Sequence, residues 1–473
     1  MAGMNLRLAF AILSSACWSA FQHGYNTAVI NTPTKVITKW LQMEALSAAN
    51  RTLEVAKDDP TVTAVWSVAV SIYCVGGMIG GVLTGYVADR FGRKKGLLLN
   101  NVLIFIAVPL ESAAKAASSS EMLIVGRLII GINNGLNAGL APMYLSEISP
   151  VSMRGSIGTV YQLVITIAIL IAQVLGLEQV LGSAAHWPHL LGVAAIPAII
   201  QCCTLPLCPE SPRYLLLNEG QELHAQRALT WLRGDVSVHS EMEDMRQEAE
   251  KNKISKKVTL RELLSNSQLR QPLIIAIVAM VAQQFSGINA VISFSTSIFS
   301  DAGLSEAYSQ YATLGTGLTN TLITIVSLVL VERAGRKTLL LAGFGGMFVC
   351  SIALSICGSY ISVSWVPYLC VALVLAFVVM FSVGPGSIPW FLVTELFNQA
   401  ARPAASSVAV TANWAANFIL QLSFFPLSQI MGMNVFVVFA VLQLIFIVFI
   451  ALKVPETKNK PIDEITAMFR QQL

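Results

Sequence analysis

The chain has 473 residues, of which 55% are hydrophobic and only 12% charged, about half the charged fraction of an average soluble domain. With a mean hydropathy of +0.67, this excludes a water-soluble multidomain enzyme, and a net charge of +4 is too small to suggest nucleic-acid binding. The eight cysteines (17, 74, 202, 203, 208, 350, 357 and 370) fall mostly in apolar runs without paired spacing, which reads as reduced thiols rather than a disulfide framework or a zinc site.

A helix needs about 20 apolar residues to cross the hydrocarbon core of a bilayer. Such runs lie at 8–30, 62–86, 96–114, 121–141, 156–178 and 187–206. After a polar interval they return at 271–297, 306–331, 338–358, 366–393, 403–424 and 433–453. The expected fold is an all-α membrane protein with twelve transmembrane helices in two groups of six. The first run follows Arg7 and could mimic a secretory signal. No small-residue cleavage site follows it, however, and Gln22, His23, Tyr25 and Asn26 interrupt its outer half. It reads as a retained first helix.

Basic residues gather after the second helix (Arg90, Arg93, Lys94, Lys95), after the eighth (Arg333, Arg336, Lys337) and in the tail (Lys453, Lys458, Lys460). The positive-inside rule then places both termini and the interval 207–270 in the cytoplasm. Asn50-Arg51-Thr52, an N-glycosylation sequon, falls outside in a long first loop. The stretch 209–270 holds ten acidic and ten basic residues, 20 of the 56 charged side chains. Ala228, Leu229, Trp231 and Leu232 alternate with those charges, which suggests short amphipathic helices under the bundle, with a solvated linker as the alternative. The expected division is a six-helix half over 1–206, a helical linker over 207–270 and a second six-helix half over 271–473.

Three pairs of motifs recur at nearly one interval. Asp89-Arg90-Phe91-Gly92-Arg93-Lys94 matches Glu332-Arg333-Ala334-Gly335-Arg336-Lys337 at an offset of 243. Glu147 and Arg154 match Glu395 and Arg402 at 248, each pair seven apart, and Pro209-Glu210 matches Pro455-Glu456 at 246. The chain is therefore two copies of one six-helix unit, a transporter signature that puts the substrate between the halves near mid-membrane. All of these charges fall at cytoplasmic helix ends. Topology alone asks only for basic residues there; acids at a repeated spacing point to a latch between the halves. Its candidate members are Asp89, Arg90, Arg93, Glu147, Arg154, Glu210, Arg213, Glu332, Arg333, Arg336, Glu395, Arg402 and Glu456.

The sequence resembles the sugar-porter branch of the major facilitator superfamily, and within it the animal facilitative hexose transporters. The resemblance rests on Gly85 with Asp89-Arg90-Phe91-Gly92-Arg93, Pro209-Glu210-Ser211-Pro212-Arg213, Gln283-Gln284-Phe285-Ser286-Gly287-Ile288-Asn289, Gly384-Pro385-Gly386-Ser387-Ile388-Pro389-Trp390 and Pro455-Glu456-Thr457-Lys458. It implies sugar-contacting positions at Gln162, Gln283, Gln284, Asn289, Asn320, Trp390 and Asn417, with Trp414 lining the same cavity. Amides both donate and accept, as sugar hydroxyls do; interhelical bonding is the other use such residues find in a membrane. Pro385, Gly386 and Pro389 remove backbone donors and invite a break in helix 10, either a gate or a static kink. The helix 2 glycines 76, 77, 80, 81 and 85 read as close-packing positions.

Several positions depart from the family pattern. Met280-Val281-Ala282 replaces the Gln-Leu-Ser of glucose-selective members and resembles members that also take fructose, although Trp390 is retained. Ser293 and Phe294 stand where paired tyrosines are usual, Ser382 where a glutamate is, and His23 where an aromatic is. Proton-coupled relatives carry an aspartate in helix 1, whereas this chain reads His23-Gly24-Tyr25-Asn26. An amide cannot titrate, so Asn26 and the neighbouring Arg127 are expected to be structural. The reading is a plasma-membrane hexose uniporter for glucose, with fructose as a second substrate. A proton–sugar symporter and a non-transporting sensor are its rivals. No catalytic residue, cofactor, metal, nucleic acid or obligate protein partner is expected.

Overall fold

The structure, a computed structural model, describes residues 3–30, 33–49, 60–234, 237–253, 257–289, 291 and 306–471. The sequon at Asn50 and the pair Ser293 and Phe294 lie outside the described residues. Helix α1 starts at Leu6–Ile12, where the Asn5 side chain accepts from the Leu8 N–H, and runs through a π turn at Leu13–Cys17 into Trp18–Ala28. Further along lie α2 (Thr34–Ala49), α3 (Pro60–Phe91), α4 (Arg93–Ala113), α5 (Ser120–Ile148) and α6 (Arg154–Leu175). Helix α7 comes in two pieces, Trp187–Gly192 and Ala195–Thr204, because Pro197 has no N–H for the carbonyl four residues back.

The interval 207–270 carries α8 (Glu222–Leu232), α9 (His239–Asn252) and α10 (Leu260–Ser265). Helices α8 and α9 share a small core of Leu216, Ala225, Leu229, Val238, Met242 and Met245. The linker is tied to the bundle where Arg233 donates to the Ile148 carbonyl (2.8 Å) and Asn5 to that of Leu232 (2.9 Å). The second half comprises α11 (Ser267–Gln284), α12 (Glu306–Ala334), α13 (Arg336–Ser359), α14 (Val366–Val383), α15 (Ile388–Leu396), α16 (Arg402–Met431) and α17 (Val435–Lys453). A terminal helix, α18 (Ile462–Gln471), buries Ile462, Ile465 and Phe469 against the bundle end.

Two expectations need correction. The first loop holds helix α2, whose Ile37, Trp40 and Leu41 are buried and whose Trp40 packs on Trp187 with ring centres 5.3 Å apart. Helix α11 ends at Gln284, inside the expected run 271–297, because Gly287 takes a φ of +94°, a left-handed turn that glycine permits; residues 292–297 of that run lie outside the described residues. Counting α14 and α15 as one broken span, the described helices supply twelve crossings. Among the described residues, nine helices are long and apolar enough to cross a membrane by length and composition. Helices α1, α11 and α16 are the shorter or more polar ones, and all three line the central cavity. Their polar residues face one another rather than lipid, as a spanning helix requires.

The halves meet along α3 with α16 and α6 with α12. Gly76 and Gly80 lie against the α5 backbone at Gly131 and Gly135, while Gly77, Gly81 and Gly85 lie against Trp414, Thr411 and Ser407 of the other half. A Cβ at any of these five sites would overlap its neighbour. These α3 glycines are packing positions, three of them at the joint between the halves. All eight cysteines are free thiols.

Candidate functional site

At the linker end of the bundle the repeated charges form one network. Arg93 donates from Nε and Nη2 to the two oxygens of Glu147, both at 2.9 Å, and Arg402 of the other half donates to Glu147 Oε1 at 3.0 Å. The second half repeats this: Arg336 donates from Nε and Nη2 to Glu395 Oε1 (3.3 and 3.1 Å), and Arg154 of the first half donates to Glu395 Oε2 (3.2 Å). These side chains are nearly solvent-free. Each carboxylate therefore holds an arginine from its own half and one from the opposite half. Glu332 adds a further crossing by accepting from the Ser156 N–H (3.0 Å).

Glu210 accepts from the N–H groups of Arg93 and Lys94 (3.2 and 3.0 Å), and Glu456 accepts from those of Arg336 and Lys337 (2.8 and 3.2 Å). The two acids thus sit on the N-termini of α4 and α13, where backbone donors and the helix dipole favour a negative charge. Burial pushes the Glu210 carboxyl up, and these backbone donors oppose it. The motif glycines before the two helices share a positive φ, 86° at Gly92 and 84° at Gly335, and a Cβ on either would strike Glu210 or Glu456. Arg213 pairs with Glu248 inside the linker. Asp89, Arg90 and Arg333 form no salt bridge among the described residues, so the network is smaller than the motif set.

Above the network lies a cavity of about 490 Å³ between the halves. Its wall runs from residue 23 on α1 to residue 30 just past its end, 162 to 169 on α6 and 413 to 424 on α16. Arg154 and Arg402 start α6 and α16, so the cavity spans the middle of the bundle and the end away from the network. Trp414 stands twelve residues beyond Arg402, ~18 Å at helical rise. All eight expected substrate positions line this one cavity: Gln162, Gln283, Gln284, Asn289, Asn320, Trp390, Trp414 and Asn417.

Tertiary bonds fix those side chains. Gln283 donates to the Gly386 carbonyl (2.7 Å), which the break between α14 and α15 leaves available. The break falls at Gly384–Ser387, with Pro385 packed on Gly343 and Pro389 early in α15. Trp390 Nε1 donates to Gln162 Oε1 (2.9 Å) across the halves, and Asn320 Oδ1 accepts from Ser382 (2.6 Å). Asn413 joins both glutamines, donating to Gln283 Oε1 (3.0 Å) and accepting from Gln284 (3.3 Å). The sequence reading passed over Asn413 and Gln421, although each lies four residues from Asn417 on one helix face. It also left out His23 and Tyr73 as cavity residues. None of Met280, Val281 and Ala282 appears in the cavity wall; Met280 shares a small void behind Trp390 and its carbonyl accepts from Asn413 (3.2 Å).

Arg127 donates to the Asn26 backbone carbonyl (3.0 Å) and lies over the Tyr73 ring at 4.4 Å. The contact with Asn26 is as expected, but it uses main chain, while the Asn26 amide donates to the Gln22 carbonyl (2.8 Å). The sequence reading also missed Glu111, fully buried near the end of α4. It packs on Gly126, interacts electrostatically with Arg127, and neither carboxyl oxygen has a hydrogen-bond partner among the described residues.

Comparison with known proteins places this geometry. The family described as "Sugar (and other) transporter" matches residues 12–469. Facilitated glucose transporter member 1 of solute carrier family 2 from Gallus gallus is 45% identical over 469 residues, covering 99% of this chain and 94% of that protein. Member 3 from Ovis aries is 46% identical over 474 residues, covering 98% and 93%. Among solved structures, the major facilitator proton:xylose symporter XylE bound to 6-bromo-6-deoxy-D-glucose superposes with a TM-score of 0.82. It shares 23% identity and covers 98% of this chain and 99% of that one. The inward-open conformation of XylE from E. coli gives 0.69 at the same identity, again over 98% and 99%. A two-fold repeated helical bundle, a polar cavity between its halves and full-length similarity to these carriers lead to one conclusion: the chain belongs to the sugar transporter family.

Proposed function

We propose that the protein is a facilitative hexose uniporter of the plasma membrane, working by alternating access with both termini in the cytoplasm. The observation that carries the reading is the cavity, where eight amides and two tryptophans from both halves converge at mid-bundle. A volume of about 490 Å³ is ordinary for a small-molecule site. Amides pair with sugar hydroxyls in either sense, and the apolar face of a pyranose packs on an indole. The arginine–glutamate network joins the halves at the linker end, which this reading places in the cytoplasm, and the cavity lies beyond it. Sugar entering from outside seats between the halves; α11 and the broken α14–α15 segment close behind it; the network then parts and releases the sugar inward. The reaction needs binding and rocking and no bond chemistry.

Glucose is the primary substrate on this reading and fructose the second. Met280 acts on selectivity through Asn413, which donates to its carbonyl, and through the void it shares with Trp390. Gln283→Ala loses a buried amide that bonds both Asn413 and Gly386, and Asn289→Ala removes a wall amide. Each should raise the KM for glucose about tenfold, for roughly 1–2 kcal/mol per lost hydrogen bond, with normal membrane insertion. Wild-type uptake kinetics in a well-inserted variant would remove that residue from the site.

Glu111 favours one second reading, proton-coupled transport. A buried acid beside Arg127 could hold that arginine when ionised and release it when protonated, which Asn26 cannot do. Proteoliposomes separate the readings. A uniporter equilibrates labelled glucose, with fructose competing, and does not concentrate it under an imposed inward proton gradient. Accumulation above the outside concentration that disappears in Glu111→Gln would establish coupling.

A further inference from the structure

His23 stands at the floor of the cavity where the family pattern has an aromatic residue. It belongs to α1, is 7% exposed, and contributes to the cavity wall. Three rings hold the imidazole. It stacks on Trp414 (centres 5.4 Å apart, planes at 29°), meets Trp390 edge-on (5.6 Å, 84°) and tilts against Tyr161 (5.9 Å). Nδ1 and the Tyr161 hydroxyl are 2.8 Å apart, which fixes the rotation of the ring. Nε2 makes no hydrogen bond among the described residues. A phenylalanine could fill the same slot between the indoles, but it would offer no polar atom.

A polar nitrogen in a site closed from water is satisfied by its ligand or not at all. Both tautomers allow a bond to sugar. If the Tyr161 hydroxyl donates to Nδ1, Nε2 carries the proton and donates; if Nδ1–H donates to Tyr161, Nε2 accepts. A hydroxyl can answer either way. The two tryptophans that flank the imidazole are those on which the sugar ring would pack, so the hydroxyl reached is at the buried edge of the sugar.

We propose that His23 is a specificity-determining residue, hydrogen-bonding through Nε2 to one hydroxyl of the bound hexose, with Tyr161 as its positioning residue. This rests on the cavity being the hexose site. A site built to bond a hydroxyl rejects the analogue that lacks it, because the buried polar group is then left unpaired.

The test is competition of labelled glucose uptake by the set of monodeoxy-glucoses, measured on wild type, His23→Phe, His23→Gln and Tyr161→Phe in proteoliposomes. In wild type, one deoxy position is expected to bind about tenfold more weakly than glucose through this contact. His23→Phe should bind glucose about tenfold more weakly yet bind that same deoxy sugar as wild type does, so discrimination at that position vanishes while the others persist. His23→Gln should restore part of the discrimination. Tyr161→Phe should weaken it at the same position and no other. A deoxy profile in His23→Phe and His23→Gln that parallels wild type at every position overturns the proposal. Wild-type protein that takes up no hexose at all would instead overturn the transporter reading, so the two failures are distinct.

Discussion

Replacing Arg402 by alanine should weaken binding of a non-transported sugar analogue applied from the cavity side by at least tenfold, while the protein stays folded. Arg402 donates to Glu147 across the halves and also holds the Gln399 side chain and the Thr394 carbonyl. Glu147 is not stranded by its loss, because Arg93 still donates twice and Ser211 once (2.6 Å). The loss of the Glu147 bond falls on the joint between the halves, while the bonds to Gln399 and Thr394 are lost within the second half. Charge-assisted bonds contribute about 1.5–3 kcal/mol, roughly a 10- to 150-fold shift between two states that differ in this joint. The sign follows from geometry. The network exists only while the linker end is closed, so losing it disfavours the state that presents the cavity to the far side. Arg154→Ala should act alike through Glu395. Arg90→Ala is the control, since Arg90 is exposed and forms no salt bridge among the described residues. Unchanged or tighter analogue binding in Arg402→Ala would contradict the latch.

Gly77→Ala should abolish most transport although the added group is one methyl. Its Cβ would overlap the Trp414 indole, and that ring cannot retreat, being stacked on His23 and set edge-on to Tyr73 at 5.3 Å and 83°. Overpacking of this kind costs about 1–3 kcal/mol. The strain is relieved by driving the indole into the cavity or by parting α3 from α16, and each outcome would damage the proposed cycle. Glucose KM and maximal uptake are the measurement. Gly345→Ala, where a Cβ meets nothing within 4 Å, is the silent control. Normal kinetics in Gly77→Ala would mean that the joint between α3 and α16 is looser than its contacts imply.

Legibility differed between the fold and the site for a physical reason. The bilayer admits few solutions, so apolar run lengths alone placed twelve crossings, and the repeated Glu147–Arg154 and Glu395–Arg402 spacings exposed the two halves. A membrane also makes intramembrane polar residues costly, which is why Gln283, Gln284 and Asn289 stand out in the sequence, whereas Asn320 and Asn417 follow only from the family resemblance. Three-dimensional packing decided the rest. Charge motifs did not reveal that Arg93, Glu147 and Arg402 interlock while Asp89, Arg90 and Arg333 stay out, because pairing depends on which helix ends meet. Nor could spacing place Met280 behind Trp390 or Glu111 beside Arg127, residues far apart in sequence. His23 was legible as a substitution but not as a group caged by three rings from α6, α15 and α16, since only the closed tertiary contact between the halves brings those rings together.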